Sequence, residues 1–167
     1  MVAAIAASMG LLAAMGEAGR GTAGVDSMIQ PGPEALMIRL AREGAAHRLA
    51  SPQCAAVFDD FSDASGRRLK DLLDKYNLSA PEYLSLVFFS QGAENGRCRS
   101  EAVLATTRPG SRLVQVCGRF GRAYRRDPRW AEFVLIHETL HTLGLGEDPP
   151  STHEISARVA ARCGSVK

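Results

Sequence analysis

The stretch Val134-Leu135-Ile136-His137-Glu138-Thr139-Leu140-His141-Thr142-Leu143-Gly144 carries the pattern H-E-x-x-H within an apolar run. Residues i and i+4 of an α-helix share one face, so the imidazoles of His137 and His141 can reach one metal ion. Zinc takes histidine nitrogens at about 2.0–2.1 Å, and this spacing is typical of zinc sites. Glu138 directly follows the first histidine. Its carboxylate is predicted to face a metal-bound water and to act as the general base.

An alternative interpretation is an ordinary amphipathic helix with two hydrogen-bonded histidines. Apart from the motif itself, no residue from Val134 to Leu143 is charged, as expected of a buried helix. Burying Glu138 in such a helix without a function would cost free energy. This cost favours the metal site.

The residues His137, Glu138, His141 and Gly144 resemble the zincin-type metallopeptidases, and the run H-E-x-x-H-x-x-G looks most like the metzincin branch. The resemblance implies that Gly144 lets the chain turn so that the residue three positions later, here Glu147, becomes the third zinc ligand. Most members have a histidine at that position. No methionine follows Met37, so the methionine-containing turn of metzincins is absent and the chain would be a divergent relative.

Among the residues that follow the motif, four are candidates for the third zinc ligand. Glu147 has the spacing of the resemblance, and a carboxylate is an acceptable zinc ligand. Asp148 is instead a candidate for a hydrogen bond to a histidine ligand, or for a turn residue before Pro149. His153 is chemically the best ligand but lies at the start of the next helix. Glu154 has another explanation, because Ser151-Thr152-His153-Glu154 reads as a capping box.

The order of predicted elements indicates an α+β fold: a small zincin-like domain with N-terminal helices, a small antiparallel sheet, the H-E-x-x-H helix and a C-terminal helix. The metal helix is predicted to start at Asp127-Pro128 and to end at Gly144 or Gly146. The other predicted helices are Pro33 to Ala46, a helix from Ser51-Pro52 toward Phe61, Arg67 to Tyr76, and a short helix opened by Ser79-Ala80-Pro81-Glu82. The predicted strands are Leu86 to Phe89, Ala102 to Thr107 and Arg112 to Cys117, the last two joined by a Pro109-Gly110 turn.

The chain divides into a signal-like leader with a flexible lead-in, residues 1–32, and a single domain, residues 33–167. Val2 to Met15 is small and apolar, and Gly16-Glu17-Ala18 offers small residues for cleavage, although no basic residue precedes the apolar run. The alternative is an alanine-rich helix packed on the domain. The leader predicts a secreted or periplasmic protein.

The four cysteines support export, because no C-x-x-C pair suggests a metal or redox site and two disulfides account for them. Three pairings are open. We favour Cys98 with Cys117, which would clamp a hairpin, and Cys54 with Cys163, which would tie the N-terminal helices to the C-terminal one. The alternative is four buried thiols in a cytosolic protein.

The segment Arg119–Arg129 holds five arginines and lies between the sheet and the metal helix. It is a candidate rim that selects acidic substrates or stabilises an oxyanion, with Tyr124 as a donor, or else a solvated loop. The basic run is short and the net charge is only +2, so nucleic-acid binding is not expected. No run is long and apolar enough for a membrane span. The sequence carries no signal of oligomeric state.

The sequence thus predicts a zinc-dependent hydrolase that cleaves peptide bonds of a peptide or protein substrate, with metal-activated water and Glu138 as the general base. An edge strand beside the metal, either Ala102–Thr107 or Arg112–Val116, is predicted to hold the extended substrate. The alternative is a secreted, disulfide-stabilised binding module with a structural or vestigial zinc site.

Overall fold

The computed structural model describes residues 31–91 and 96–166. Most of the predicted leader lies outside these residues. Within the described part, the chain is a mixture of helices and a small sheet, which confirms the α+β class. The elements are α1 Pro33–Leu49, α2 Pro52–Ala55, α3 Leu69–Lys75, α4 Ala80–Ser85, β1 Phe88–Gln91, β2 Ala105–Thr106, β3 Leu113–Val116, α5 Phe120–Arg126, α6 Pro128–Thr142 and α7 Thr152–Cys163, with 3-10 turns at Ala56–Phe58 and Gly96–Arg99.

Helix α6, which carries the H-E-x-x-H motif, starts at Pro128 and is buried, as the sequence predicts. The Asp127 carboxylate accepts a hydrogen bond from the Trp130 amide, and Pro128 occupies the first turn, where no amide donor is required. From Ala131 to Thr142 every residue except Val134 is buried. A helix buried around nearly its whole circumference belongs to the core, and α6 packs against α1, α5 and α7.

The sheet differs from the prediction of an antiparallel sheet. Its strand order is β1-β3-β2, with β2 antiparallel to β3 but β1 parallel to β3. The Pro109-Gly110 turn reverses the chain between β2 and β3, whereas the connection from β1 to β3 is long enough to bring the chain back in the same direction. Strands β2 and β3 are also shorter than predicted, above all β2, whereas β1 has the predicted length of four residues but begins two residues later.

Two helical segments also depart from the sequence prediction. Helix α1 continues beyond Ala46 to Leu49, which is buried, and ends before Ser51, whose helical conformation is disfavoured by Pro52. The arginine-rich segment is not a loop, because Phe120–Arg126 forms α5. Its buried residues Phe120 and Gly121 anchor it on the core, so local polarity did not decide its structure.

Both favoured disulfides are present. Cys54–Cys163 joins α2 to α7, and Cys98–Cys117 joins the Gly96–Arg99 turn to the end of β3. Disulfides of this kind are compatible with an oxidising location outside the cytosol. Over the described residues, no helix combines the length and apolar character needed to cross a membrane.

Candidate metal centre

The side chains of His137, His141 and Glu147 form one cluster that could bind a metal ion. The two histidine Nε2 atoms lie 3.0 Å apart, and Glu147 Oε1 lies 3.4 Å from His141 Nε2 and 3.8 Å from His137 Nε2. Ligands at 2.0–2.1 Å from a tetrahedral ion are separated by about 3.3–3.4 Å. The three atoms therefore fit around one small divalent cation with little movement.

The end of α6 explains how Glu147 reaches the histidines. The Gly144 amide bonds the His141 carbonyl at 2.9 Å, and the Leu145 amide bonds the Leu140 carbonyl at 3.4 Å, which is the Schellman pattern of helix termination. Gly144 has a φ of 102°, in a region that favours glycine. The chain reverses there and brings Glu147 back over the face of α6 that carries His137 and His141.

Hydrogen bonds from outside the cluster orient all three candidate ligands. His141 Nδ1 lies 2.7 Å from the Leu145 carbonyl. A carbonyl only accepts, so Nδ1 carries the proton and Nε2 presents a lone pair to the cluster. His137 Nδ1 lies 3.1 Å from Ser156 Oγ, and Thr152 Oγ1 donates to Glu147 Oε1 at 2.7 Å.

The protonation states suit metal binding. Burial, together with the nearby His141, lowers the pKa of His137 to about 4, so its imidazole is neutral at pH 7. Partial burial acts to raise the pKa of Glu147. The hydrogen bond from Thr152 and the electrostatic interactions with His141 and His137 have the larger combined effect, so the pKa of Glu147 is lowered. Neutral imidazoles and an ionised carboxylate are the forms that bind a metal.

Glu138 lies beside the cluster and is 7% exposed. Its carboxylate accepts a hydrogen bond from the Thr107 backbone amide, while Oε2 is buried with no hydrogen-bond partner among the described residues. Burial and the nearby Glu147 charge raise the pKa of Glu138 to about 8. Other buried polar side chains of α6 have partners: Glu132 forms an ion pair with Arg48, and the Thr139 hydroxyl donates a hydrogen bond to the Leu135 carbonyl. An unpartnered buried carboxylate oxygen is costly, so Glu138 is a candidate functional residue.

The other three ligand candidates lie outside the cluster. Glu154 forms the capping box with Ser151, as the sequence suggested. Asp148 is a turn residue whose amide bonds the Pro150 carbonyl, and His153 is exposed on the first turn of α7.

The cluster opens into a pocket of about 650 Å³. One wall is the face of α6 that carries Trp130, Val134, His137, Glu138 and His141. The facing wall is formed by β2 with its flanking residues and by the Gly96–Arg99 turn; its lining residues are Gly96, Arg97, Ser100, Ala102, Val103, Leu104, Ala105, Thr106, Thr107 and Pro109. The pocket therefore gives Glu138 and the cluster access to a ligand.

Of the two candidate edge strands only one lies at an edge of the sheet, and the role suggested for Tyr124 is wrong. Strand β3 is the central strand of the sheet, so Arg112–Val116 is not an edge strand. Strand β2, which lies within Ala102–Thr107, is at an edge. Tyr124 is not an oxyanion donor at this site, because it packs against the core and does not line the pocket. It lies near Glu132 and Glu43, on the α1 side of α6.

Sequence reasoning missed the residues that support the cluster. Thr152 and Ser156 are four apart on α7, so helical periodicity would have placed both on one face once α7 was known to pack on α6. The Leu145 carbonyl and the Thr107 amide carry no sequence signal, because every residue offers the same backbone groups. Arg97, which lies near both Glu138 and Glu147, was also not singled out.

No protein-family model, curated protein or solved structure matches this chain. Its function has to be inferred from the chemistry of the site.

Proposed function

We propose that this protein is a zinc-dependent hydrolase that cleaves peptide bonds, and that it is a divergent zincin-like metallopeptidase. The observation that carries the proposal is the Glu138 carboxylate. It is buried beside three candidate ligands and keeps one oxygen free of hydrogen bonds. A metal site that serves only for structure has no need of such a base.

Zinc is the metal that the donor set favours. Two imidazole nitrogens and one carboxylate oxygen form a ligand set typical of catalytic zinc, where three protein ligands leave one coordination position open. No fourth His, Cys, Asp or Glu joins the cluster within residues 31–91 and 96–166, and the cluster faces the pocket.

His137, His141 and Glu147 would hold the zinc ion, which would supply a Lewis acid for the scissile carbonyl and lower the pKa of a water molecule to about 7. In its ionised form, which the positive charge of a bound cation would favour, Glu138 would accept the proton of the attacking water on its free oxygen and return it to the leaving amine. The Thr107 amide holds the other end of that carboxylate in place. Arg97 lies on the rim and is a candidate to stabilise the oxyanion.

The edge of β2 supports a polypeptide as the substrate. The Cys117 amide bonds the Leu104 carbonyl at 2.9 Å, and Ala105 pairs with Val116 as its neighbour in register. Hydrogen-bonded and non-bonded pairs alternate along an antiparallel ladder, so the Ala105 amide and carbonyl point away from β3, toward the pocket that Ala105 lines. An extended peptide can pair with these groups beside Glu138.

We further propose that the protein acts outside the cytosol, as a secreted or periplasmic enzyme. The two disulfides support this, since such bonds persist mainly in oxidising compartments.

Metal content and hydrolysis, measured on the same variants, test the proposal. Elemental analysis of the full chain should find one zinc per molecule in the wild type and a loss of zinc in His141→Ala. Glu138→Gln should keep zinc but lose hydrolysis of casein or of a peptide library by about 10²-fold or more. His153→Ala, an exposed histidine outside the cluster, is the matched control and should keep both.

Equal hydrolysis by Glu138→Gln and wild type would remove Glu138 as the base. A wild-type protein that binds zinc but cleaves no peptide would contradict the peptidase proposal and would favour the secreted binding module.

A further inference from the structure

Four exposed arginines form a basic surface on and just after α5. They are Arg122, Arg125 and Arg126 on α5 and Arg129 on the first turn of α6, and we call them the arginine face. The positions i, i+3 and i+4 place the three arginines of α5 on one side of that helix, opposite the buried Phe120. None of the four forms an ion pair with any described residue of the chain.

Helix stability does not explain this arrangement. Arg125 and Arg126 lie in the last turn of α5, where positive charge interacts favourably with the helix dipole. Arg122 lies one turn earlier and is repelled by both of them. Arg129 lies in the first turn of α6, where a positive charge is unfavourable.

The nearby acidic groups already have other contacts. The Asp127 carboxylate caps α6 through the Trp130 amide. Glu34 packs against Gly121 on the inner side of α5, where a side chain at Gly121 would collide with its carboxylate. The arginine face therefore has no acidic partner within the described part of the molecule.

None of the four arginines lines the pocket, but both ends of α5 lie next to residues that do. At the first end, Arg119 donates to the carbonyls of Cys98 and Ser100, and Ser100 lines the pocket. At the second end the chain passes through Arg129 to Trp130, which also lines the pocket although it is 43% exposed. A large exposed aromatic side chain between a pocket and a charged surface is typical of a binding site.

We propose that the arginine face is a substrate exosite, which binds acidic residues of the same polypeptide whose scissile bond lies at the His137 and His141 cluster. This rests on the proposed peptidase function and gives it a substrate class, polypeptides with an acidic tract beside the cleaved bond. Arginine binds carboxylates through paired hydrogen bonds, which suits Asp and Glu side chains.

The position of Trp130 gives a lower limit for the distance between the acidic tract and the cleaved bond. Trp130 precedes His137 by two turns of α6, which corresponds to about 10 Å. An extended peptide covers about 3.3 Å per residue, so a tract bound beyond Trp130 lies at least about three to four residues from the cleaved bond. An acidic tract directly at the bond would instead meet Glu138 and Glu147.

Binding to the full-length Glu138→Gln variant tests the exosite without hydrolysis. Dye-labelled peptides with a glutamate tract about four residues from a central apolar pair are compared with glutamine-tract peptides by fluorescence anisotropy. The glutamate peptide should bind about tenfold more tightly at low salt. Adding Arg122→Gln, Arg125→Gln and Arg126→Gln should abolish that difference. A control variant with the same charge change at exposed positions elsewhere, Arg39→Gln, Lys75→Gln and Arg112→Gln, should retain it.

Several outcomes would overturn the exosite: equal binding of the two peptides, equal loss in the control variant, or tighter binding of a short DNA duplex than of the glutamate peptide. Hydrolysis by the wild-type protein is measured separately on the same peptides. If neither peptide is cleaved while the binding difference remains, the peptidase proposal fails but acid binding by the arginine face stands. If both are cleaved at equal rates, the exosite fails but the peptidase proposal stands.

Discussion

The Glu147 carboxylate is held in place from two sides. Thr152 donates to Oε1 at 2.7 Å, and the same oxygen faces the Nε2 atoms of both histidines. Although its side chain is 42% exposed, its pKa is lowered, so it is ionised at neutral pH. A preoriented, charged oxygen is a better ligand than a freely rotating one, because less conformational entropy is lost on metal binding.

The first prediction compares Glu147 with His153. Glu147→Ala should weaken zinc binding by at least about tenfold, because it removes a ligand from the cluster. His153→Ala should cause little change, since His153 lies outside the cluster. Competition with a zinc chelator measures both affinities. If His153→Ala has the larger effect, the ligand assignment is wrong.

At the scale of the element, the end of α6 links helix termination to the candidate metal centre. Gly144 combines a positive φ with a close neighbour, because a Cβ at this position would lie 3.2 Å from the Asp63 Cβ. Asp63 is itself fixed by hydrogen bonds from Ser65 and Arg67. The reversal that brings Glu147 to the histidines thus depends on the absence of a side chain at position 144.

The second prediction is that Gly144→Ala lowers the free energy of unfolding by about 1–3 kcal/mol, from backbone strain and crowding. Zinc affinity should fall as well, because the turn that carries Glu147 must shift. Gly146→Ala is the control, with no neighbour within 4 Å of its Cβ and no positive φ. Urea unfolding and chelator competition measure the two effects. Equal stability of both variants would contradict the role of Gly144.

Another contact between elements joins α7 to the segment after the Ala56–Phe58 turn. Arg162 donates to both Asp60 oxygens, at 2.8 and 2.6 Å. The Arg162 hydrogen bonds and charge, with a further contribution from Arg158, lower the pKa of Asp60 even though burial opposes this. Ionised Asp60 therefore stabilises the folded state at pH values above the pKa of an unfolded aspartate, about 3.9, and this stabilisation is lost as the pH falls through the lower folded-state pKa.

The third prediction is that Asp60→Asn lowers the free energy of unfolding by about 1–2 kcal/mol at pH 7, a value reduced by solvent screening of the pair. Below the folded-state pKa the wild type and the variant should converge. Urea titrations between pH 7 and pH 2 measure the difference. Asp59→Asn, at an exposed neighbour of Arg68, is the control. A difference that does not depend on pH would show that the Asp60 charge is not responsible.

At the scale of the whole molecule, the two disulfides constrain chain segments of very different length. Cys54 and Cys163 are 109 residues apart and connect α2 to the last helix, α7, whereas Cys98 and Cys117 are 19 apart. A longer closed loop removes more entropy from the unfolded chain. The first disulfide therefore serves mainly the stability of the fold. The second holds the Gly96–Arg99 turn, which lines the pocket.

The fourth prediction separates these roles. Cys54→Ala with Cys163→Ala should lower the free energy of unfolding by about 4–5 kcal/mol, and Cys98→Ala with Cys117→Ala by about 3 kcal/mol. The second pair should have the larger effect on peptide binding, because Arg97 and Ser100 lie at that turn. Denaturant unfolding and peptide anisotropy measure the two effects. Equal loss of stability in both variants would contradict the loop-length argument.

Local patterns in the sequence were sufficient for several features. The apolar run with H-E-x-x-H predicted a buried α6, Asp127-Pro128 predicted its start, and Ser151 with Glu154 predicted the capping box of α7. Each depends on residues within one or two helical turns. The disulfide pairing was chosen among three possibilities from the predicted order of elements, and the structure confirms it.

Other features depended on contacts between distant segments, and there the sequence prediction was wrong or silent. The parallel pairing of β1 with β3 follows from the path of the intervening chain, and α5 forms because the core buries Phe120. The position of the Thr107 amide against Glu138 depends on how β2 packs on α6. The sequence by itself thus determined which side chains are available for metal and proton chemistry, because helical spacing is a local property. Only the tertiary structure decided which backbone groups, pocket walls and charged surfaces face them, because those contacts arise when segments far apart in the chain bury their apolar surfaces together.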